Sequence, residues 1–187
     1  MRTGIHEAVA VLVQALGFFG RHYAVVAAFG VLASAQRFLA VGGGGERFGT
    51  LGDLAAGVVG EVFTALVRVA FLVWLVAALF RSADVRWSQV GARLGRFVDG
   101  HIPMLLASGV LLLLLTVVFK VAPDAVGHGL DPDARPTFVA WELAIKNVTI
   151  IPFVMVWMTV LAHVAVVGGP GTLAVDAPEH VGTTTSP

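Results

Sequence analysis

Apolar residues run through this chain in long blocks rather than in the short alternations of strands, and polar residues gather between the blocks. A bilayer core about 30 Å thick takes about 20 mostly apolar helical residues to cross. Four blocks meet that requirement: residues 23–41, 54–80, 102–121 and 138–167. The first carries a charge only at Arg37, and the second contains Glu61 and Arg68. The third has no charge from Ile102 to Phe119, and Pro103 sits at its first turn, where a missing N–H costs nothing. The fourth has Glu142 and Lys146 in its first turns, and Pro152 predicts a kink. Gly168-Gly169-Pro170-Gly171 stops it, and the remainder to Pro187 reads as a disordered tail.

Two shorter segments precede the first and third blocks. In residues 5–19, His6, Glu7 and Gln14 make a narrow polar stripe on an otherwise apolar helix. Trp87, Val90, Leu94, Phe97 and Val98 form an apolar face at helical spacing, opposite Arg86, Gln89, Arg93, Arg96 and Asp99. Both patterns suit amphipathic helices lying in the membrane interface. Gly20-Arg21-His22 is a polar break that favours this over one tilted helix running into the first span. Ala33-Ser34-Ala35 has the shape of a signal cleavage site, but the apolar stretch is long and interrupted by Arg21, so the segment is read as retained.

The two halves resemble each other. Leu16-Gly17-Phe18-Phe19, Gly20-Arg21-His22 and Ala28-Phe29-Gly30-Val31-Leu32 recur as Leu94-Gly95-Arg96-Phe97, Gly100-His101 and Ala107-Ser108-Gly109-Val110-Leu111, and Glu61 then falls opposite Glu142. The fold expected is an all-α integral membrane protein with four transmembrane helices, two interfacial amphipathic helices and a parallel two-fold internal repeat. Residues 1–80 form the first repeat, 81–167 the second and 168–187 a cytoplasmic tail. Two spans in each half make the repeats parallel, with Glu61 and Glu142 at equal depth. Arg2, Arg21, Arg81, Arg86, Arg93 and Arg96 outnumber Arg37, Arg47, Lys120 and Arg135 on the other side, which predicts cytoplasmic termini in a cell membrane.

Composition narrows the chemistry. Of 187 residues, 57% are apolar and 13% charged, against about half and a quarter in soluble domains. Zero net charge disfavours a nucleic-acid partner. With no cysteine, disulfides and thiolate chemistry are excluded. No histidine has ligand spacing, so no metal or cofactor is expected. His22 and His101 read as turn residues before their spans, His163 as a packing residue, Trp74 as core and Trp87 as an interface anchor. Gly42–Gly45 follows a helix and lacks the lysine of a phosphate loop. Asp131-Pro132-Asp133 is acidic but has no EF-hand spacing.

The candidate site is a polar cluster. Arg68 lies well inside the second span, where a charge is costly and faces a partner or a water-filled cavity. Glu61, two turns earlier on the same face with Thr64 between, is the first expected partner, and Glu142 the second. Outward snorkelling and a substrate site are the alternatives. Glu142 and Lys146 have the favourable i,i+4 order of a surface pair. Gln36, Arg37, Glu61, Thr64, Arg68, Lys120, Glu142 and Lys146 together would ring an outward-facing vestibule. Small residues at Ala56, Gly60 and Thr64, and at Gly30 and Ser34, mark close helix packing. The functional expectation is a non-enzymatic accessory or assembly subunit in contact with lipid and with other membrane subunits or its own copies. A small transporter or channel around Glu61, Arg68 and Glu142 is the alternative.

Overall fold

The computed structural model describes residues 2–41, 49–81, 83 and 85–168, apart from the side chains at 2, 3, 41 and 87. Gly42–Gly45, Arg47, the Arg2 and Trp87 side chains and the tail beyond Gly168 lie outside the described residues. Within them the chain is all-helical, with no strand.

Helix α1 (Arg2–Arg21) leads into α2 (Tyr23–Val41) through His22 alone. The His22 N–H donates to the Phe18 carbonyl at 3.1 Å and its own carbonyl accepts from Val26, so helical bonding continues through the joint. The second apolar block is divided. Helix α3 (Thr50–Ala56) ends at Gly57, which is extended at ψ −175°, and α4 (Val58–Phe80) begins after it. The loop expected at 42–53 therefore closes with a helix, and Ala56 does not share a helix with Gly60 and Thr64. A short 3-10 turn, Trp87–Gln89, precedes α5 (Val90–Gly100).

Helix α6 (Ile102–Thr116) widens into a π turn over Val117–Val121 and continues as α7 (Ala122–His128), seven residues past the end read from the sequence. Pro123 explains the widening: it offers no N–H to the Phe119 carbonyl and its ring crowds that carbonyl. Helix α8 (Arg135–Val148) is separated from α9 (Ile150–His163) by Thr149, at φ −118° and ψ −74°, and a last π turn covers Val164–Gly168. Pro152 produces this break by the same route, acting on the Val148 carbonyl.

Four helical tracks are long and apolar enough to cross a membrane: Tyr23–Ala40, Val58–Phe80, Ile102–His128 and Arg135–Gly168. They alternate in direction. Gln36 meets Thr64, Phe29 meets Phe71, and Phe18 meets Trp74, so α4 runs back along α2 and the end of α1. Phe38 meets Trp141, Ser34 bonds the Ala144 carbonyl, and Phe19 meets Phe153, so α8 and α9 run back along the whole of α2 and α1. Arg37, Phe38, α3 and Trp141 thus share one end of the bundle. Gly4, Pro103, Arg93 and Val166 mark the other end.

The core is a set of helical stripes: Ala8, Val11, Ala15 and Phe18 on α1; Phe71, Leu75 and Leu79 on α4; Val156, Trp157, Val160 and Val164 toward the end of the chain. Outside it the apolar surface is bare, with Val58 at 79% and Leu106 at 66% exposure. A surface this apolar belongs in lipid, since monomeric proteins in water rarely expose large contiguous apolar patches. The architecture is that of a multi-pass membrane protein.

The two segments read as interfacial are placed differently. Helix α1 lies along α6 and α9, and at its start a Cβ on Gly4 would come within 2.7 Å of the Pro103 side chain. Its apolar stripe faces these helices, which is why it packs lengthwise in the bundle. Helix α5 buries only Phe97, and Arg93 reaches from it to the Val166 carbonyl at 2.9 Å. One local geometry recurs in both halves. His22 and His101 each contact the carbonyl of the phenylalanine four residues earlier through Nδ1 and stack on that ring, at 4.3 and 4.4 Å. The packing around the two halves is not alike: α2 lies closely along α8, whereas the corresponding α6 and α4 are not so paired.

Candidate intramembrane polar site

The first group of polar side chains forms where α2, α3 and α4 converge. Gln36 is buried, and its Nε2 donates to the Ala55 carbonyl at 2.5 Å while its Oε1 accepts from the Thr64 hydroxyl at 2.7 Å. A polar side chain in an apolar bundle must be satisfied internally, and these bonds do so with a backbone acceptor exposed where α3 ends. Gly60 makes the approach possible, because a Cβ there would overlap the Ala55 carbonyl and stand 2.8 Å from Gln36 Nε2. One turn outward, the Arg37 guanidinium forks onto the Glu61 carboxylate at 2.6 and 3.0 Å. Bidentate geometry of this kind combines charge with orientation.

The second group is the Glu142–Lys146 pair on α8, at 11% and 16% side-chain exposure. The i,i+4 order predicted the partners, but the pair is sheltered inside the bundle rather than out on its surface. Nearby, Ser34 donates to the Ala144 carbonyl at 2.8 Å, and Gly30 lets α2 approach until a Cβ would stand 2.6 Å from the Asn147 carbonyl oxygen. The stripes Gly30/Ser34 and Gly60/Thr64 both pack helices within one chain. Lys120 is separate from both groups. It stands 3.6 Å from Asp124 at 70% exposure.

Arg68 is the exception. It is exposed on α4 and forms no hydrogen bond or ion pair among the described residues. The carboxylates expected to hold it are engaged elsewhere, Glu61 by Arg37 and Glu142 by Lys146. It edges a cavity of about 20 Å³, room for a single water, together with Gly30, Phe71, Asn147 and Pro152. The sequence therefore identified the charged residues but not all of their pairings.

Four buried polar atoms lack partners among the described residues: Gln14 Oε1, Ser108 Oγ, Trp157 Nε1 and His163 Nδ1. From the sequence His163 reads as a packing residue, Ser108 enters only through the repeat, and Trp157 does not stand out. A serine in the uncharged stretch from Ile102 to Phe119, where Thr116 is the other hydroxyl, was the available signal. Compared with protein-family models, with characterised proteins and with solved structures, the chain matches none.

Proposed function

We propose that this protein is a non-enzymatic assembly subunit of the membrane, and that α4 presents Arg68 to an acidic group on a neighbouring membrane helix. The observation that carries the proposal is the isolation of Arg68. Every other charged member of the candidate site has a partner inside the chain, whereas Arg68 stands on an apolar face between Leu66 at 62% and Val69 at 57% exposure. An arginine on such a face is costly until a carboxylate or phosphate neutralises it. Among the described residues nothing covers Leu66 or Val69 on that face.

In this reading the bundle sits in the cell membrane with both termini cytoplasmic. Helix α5 rests its apolar side in the interface, and α1 is the amphipathic partner of the first span. The recurrent Phe–His stack belongs to an ancestral parallel repeat whose halves have since packed differently.

The test is the mass of the complex extracted in mild detergent. Arg68→Ala should reduce it to that of the isolated chain, Arg68→Lys and Val69→Ala should preserve it, and thermal stability of the purified chain should stay unchanged in all three. An unaltered complex in Arg68→Ala overturns the reading. A small transporter centred on Glu61, Arg68 and Glu142 is the alternative, favoured by the cavity that Arg68 and Asn147 share. It requires Arg68→Ala to abolish solute or ion flux in proteoliposomes while the complex persists.

A further inference from the structure

The end of the bundle that holds Gly4 and Pro103 carries a basic pocket. A cavity of about 400 Å³ lies between α5 and the π turn Val164–Gly168, with Arg93, Arg96 and His101 on one side and residues 165–168 on the other. Arg93 is half-buried and fixed: its guanidinium donates to the Val166 carbonyl at 2.9 Å and to Gln89 Oε1 at 3.4 Å. Val166 sits in the last helical turn, where carbonyls lack intrahelical donors, so the tie satisfies a carbonyl as it holds the cation. Arg96, one turn along the same face, is exposed and has no hydrogen bond or ion pair among the described residues. No carboxylate among the described residues, Asp99 included, is paired with either arginine. His101 is committed through Nδ1 to the Phe97 carbonyl, so the charge of the pocket comes from the two arginines.

These features select the occupant. Two guanidiniums without a carboxylate attract a phosphate, onto which an arginine can fork two N–H groups. Arg93 spends two of its N–H groups within the chain and Arg96 none, so donors remain for several phosphate oxygens. The pocket opens where α6 begins, immediately after His101, which in a membrane-spanning bundle is the level of the lipid headgroups. One turn further into the bundle, Leu105 follows His101 and Leu161 precedes Ala165, and both leucines line an apolar groove that continues past Leu112 and Met158. A basic recess leading into an apolar one has the order of a phospholipid, phosphate first and acyl chain after it. A soluble phosphate ester would use only the first part, and a headgroup bearing an ammonium would set another cation beside the arginines.

We propose that this pocket binds the headgroup of an anionic phospholipid, with its phosphate on Arg93 and Arg96 and an acyl chain along Leu105 and Leu161. Basic pockets between membrane helices recognise acidic headgroups in this way. Arg93 supplies the fixed contact and Arg96 the adjustable one. The site is independent of Arg68, which lies on α4, so loss of the complex in Arg68→Ala and loss of lipid in Arg96→Gln are separate outcomes.

The experiment titrates the full chain in mild detergent with dioleoyl phosphatidylglycerol and counts bound lipid by native mass spectrometry. One lipid per chain should be retained at concentrations where dioleoyl phosphatidylcholine is not. Arg96→Gln should weaken retention roughly five- to tenfold, the effect of one arginine near an anionic headgroup. Arg93→Gln combined with Arg96→Gln should reduce it to the level of phosphatidylcholine. Arg86→Gln removes the same charge from the turn before α5, outside the pocket, and should leave retention within about twofold, because exposed charges at a distance are screened. Helical circular dichroism and melting temperature check the folding of each variant. Equal retention of the two lipids overturns the proposal, as does an equal loss in Arg86→Gln and Arg96→Gln, the mark of diffuse surface charge. Displacement of the lipid by glycerol 3-phosphate at comparable concentration overturns it in favour of a soluble phosphate ester. If phosphatidylglycerol is retained only after Asp176→Asn and Glu179→Gln together, the acidic tail is the occupant and the proposal fails as well.

Discussion

At the scale of single residues, the cost of a polar group here depends on what remains when its partner is removed. Glu142 and Lys146 are sheltered, while Lys120 and Asp124 are exposed. Lys146→Met strands a carboxylate inside the bundle and should destabilise by about 3 kcal/mol or more, as broken buried pairs do. Lys120→Met should cost under about 1 kcal/mol. Chemical denaturation of the two variants in the same detergent checks the contrast. Glycine offers a second pair. Gly60→Ala drives a methyl into the Ala55 carbonyl and the Gln36 amide, whereas Gly109→Ala meets open space. The first should lose about 1–3 kcal/mol, the cost of overpacking, and the second should melt within a degree or two of the parent, the shift of a few tenths of a kcal/mol.

At the scale of helices, α1 rests on close backbone approach at its start. Gly4→Val would press on Pro103 and on the Met104 backbone, 2.9 Å from the added Cβ. Amide exchange should then accelerate in α1 and remain slow in α2, whose packing on α4 and α8 does not involve Gly4; equal acceleration in both would show that α1 is not independently docked. Pro123→Ala restores the donor for the Phe119 carbonyl, and should convert the π turn at Val117–Val121 to α-helix and rotate α7 relative to Phe138.

The spans were legible because crossing a bilayer demands length and apolarity, both of which are local. The Glu142–Lys146 pair was legible for the same reason, since i,i+4 neighbours need no knowledge of the fold. The Arg37–Glu61 pair was not. Glu61 and Arg68 share a face of α4, but which helix lies over that face is set by packing far along the chain. Helix α1 fails to announce its place for a related reason: an apolar stripe states that something covers it, not whether the cover is lipid or α6. Gly57 was passed over as a helix end because glycine is tolerated within helices, and the Ala55 carbonyl it frees to meet Gln36 has no sequence signature.

At the scale of the whole molecule, the track from Arg2 to Val41 is about 60 Å long, twice the thickness of a bilayer core. It must therefore tilt, bend or project. The absence of cysteine makes sidedness directly measurable, because any introduced thiol is unique. Asp131→Cys should react with a membrane-impermeant maleimide in intact cells, and Ala92→Cys only after permeabilisation. Labelling of both from one side would contradict the alternating topology with cytoplasmic ends.

The breaks at His22 and Thr149 stand opposite each other. Each falls between the same two contacts, Phe19 with Phe153 and Gly30 with Val148. Two rods jointed at one height make an elbow, and α4 crosses it unbroken, with Trp74 against His22 and Phe80 against His163. An elbow splinted on one side flexes only away from the splint. A change of angle at that elbow would therefore carry α1 and α9 together relative to α4.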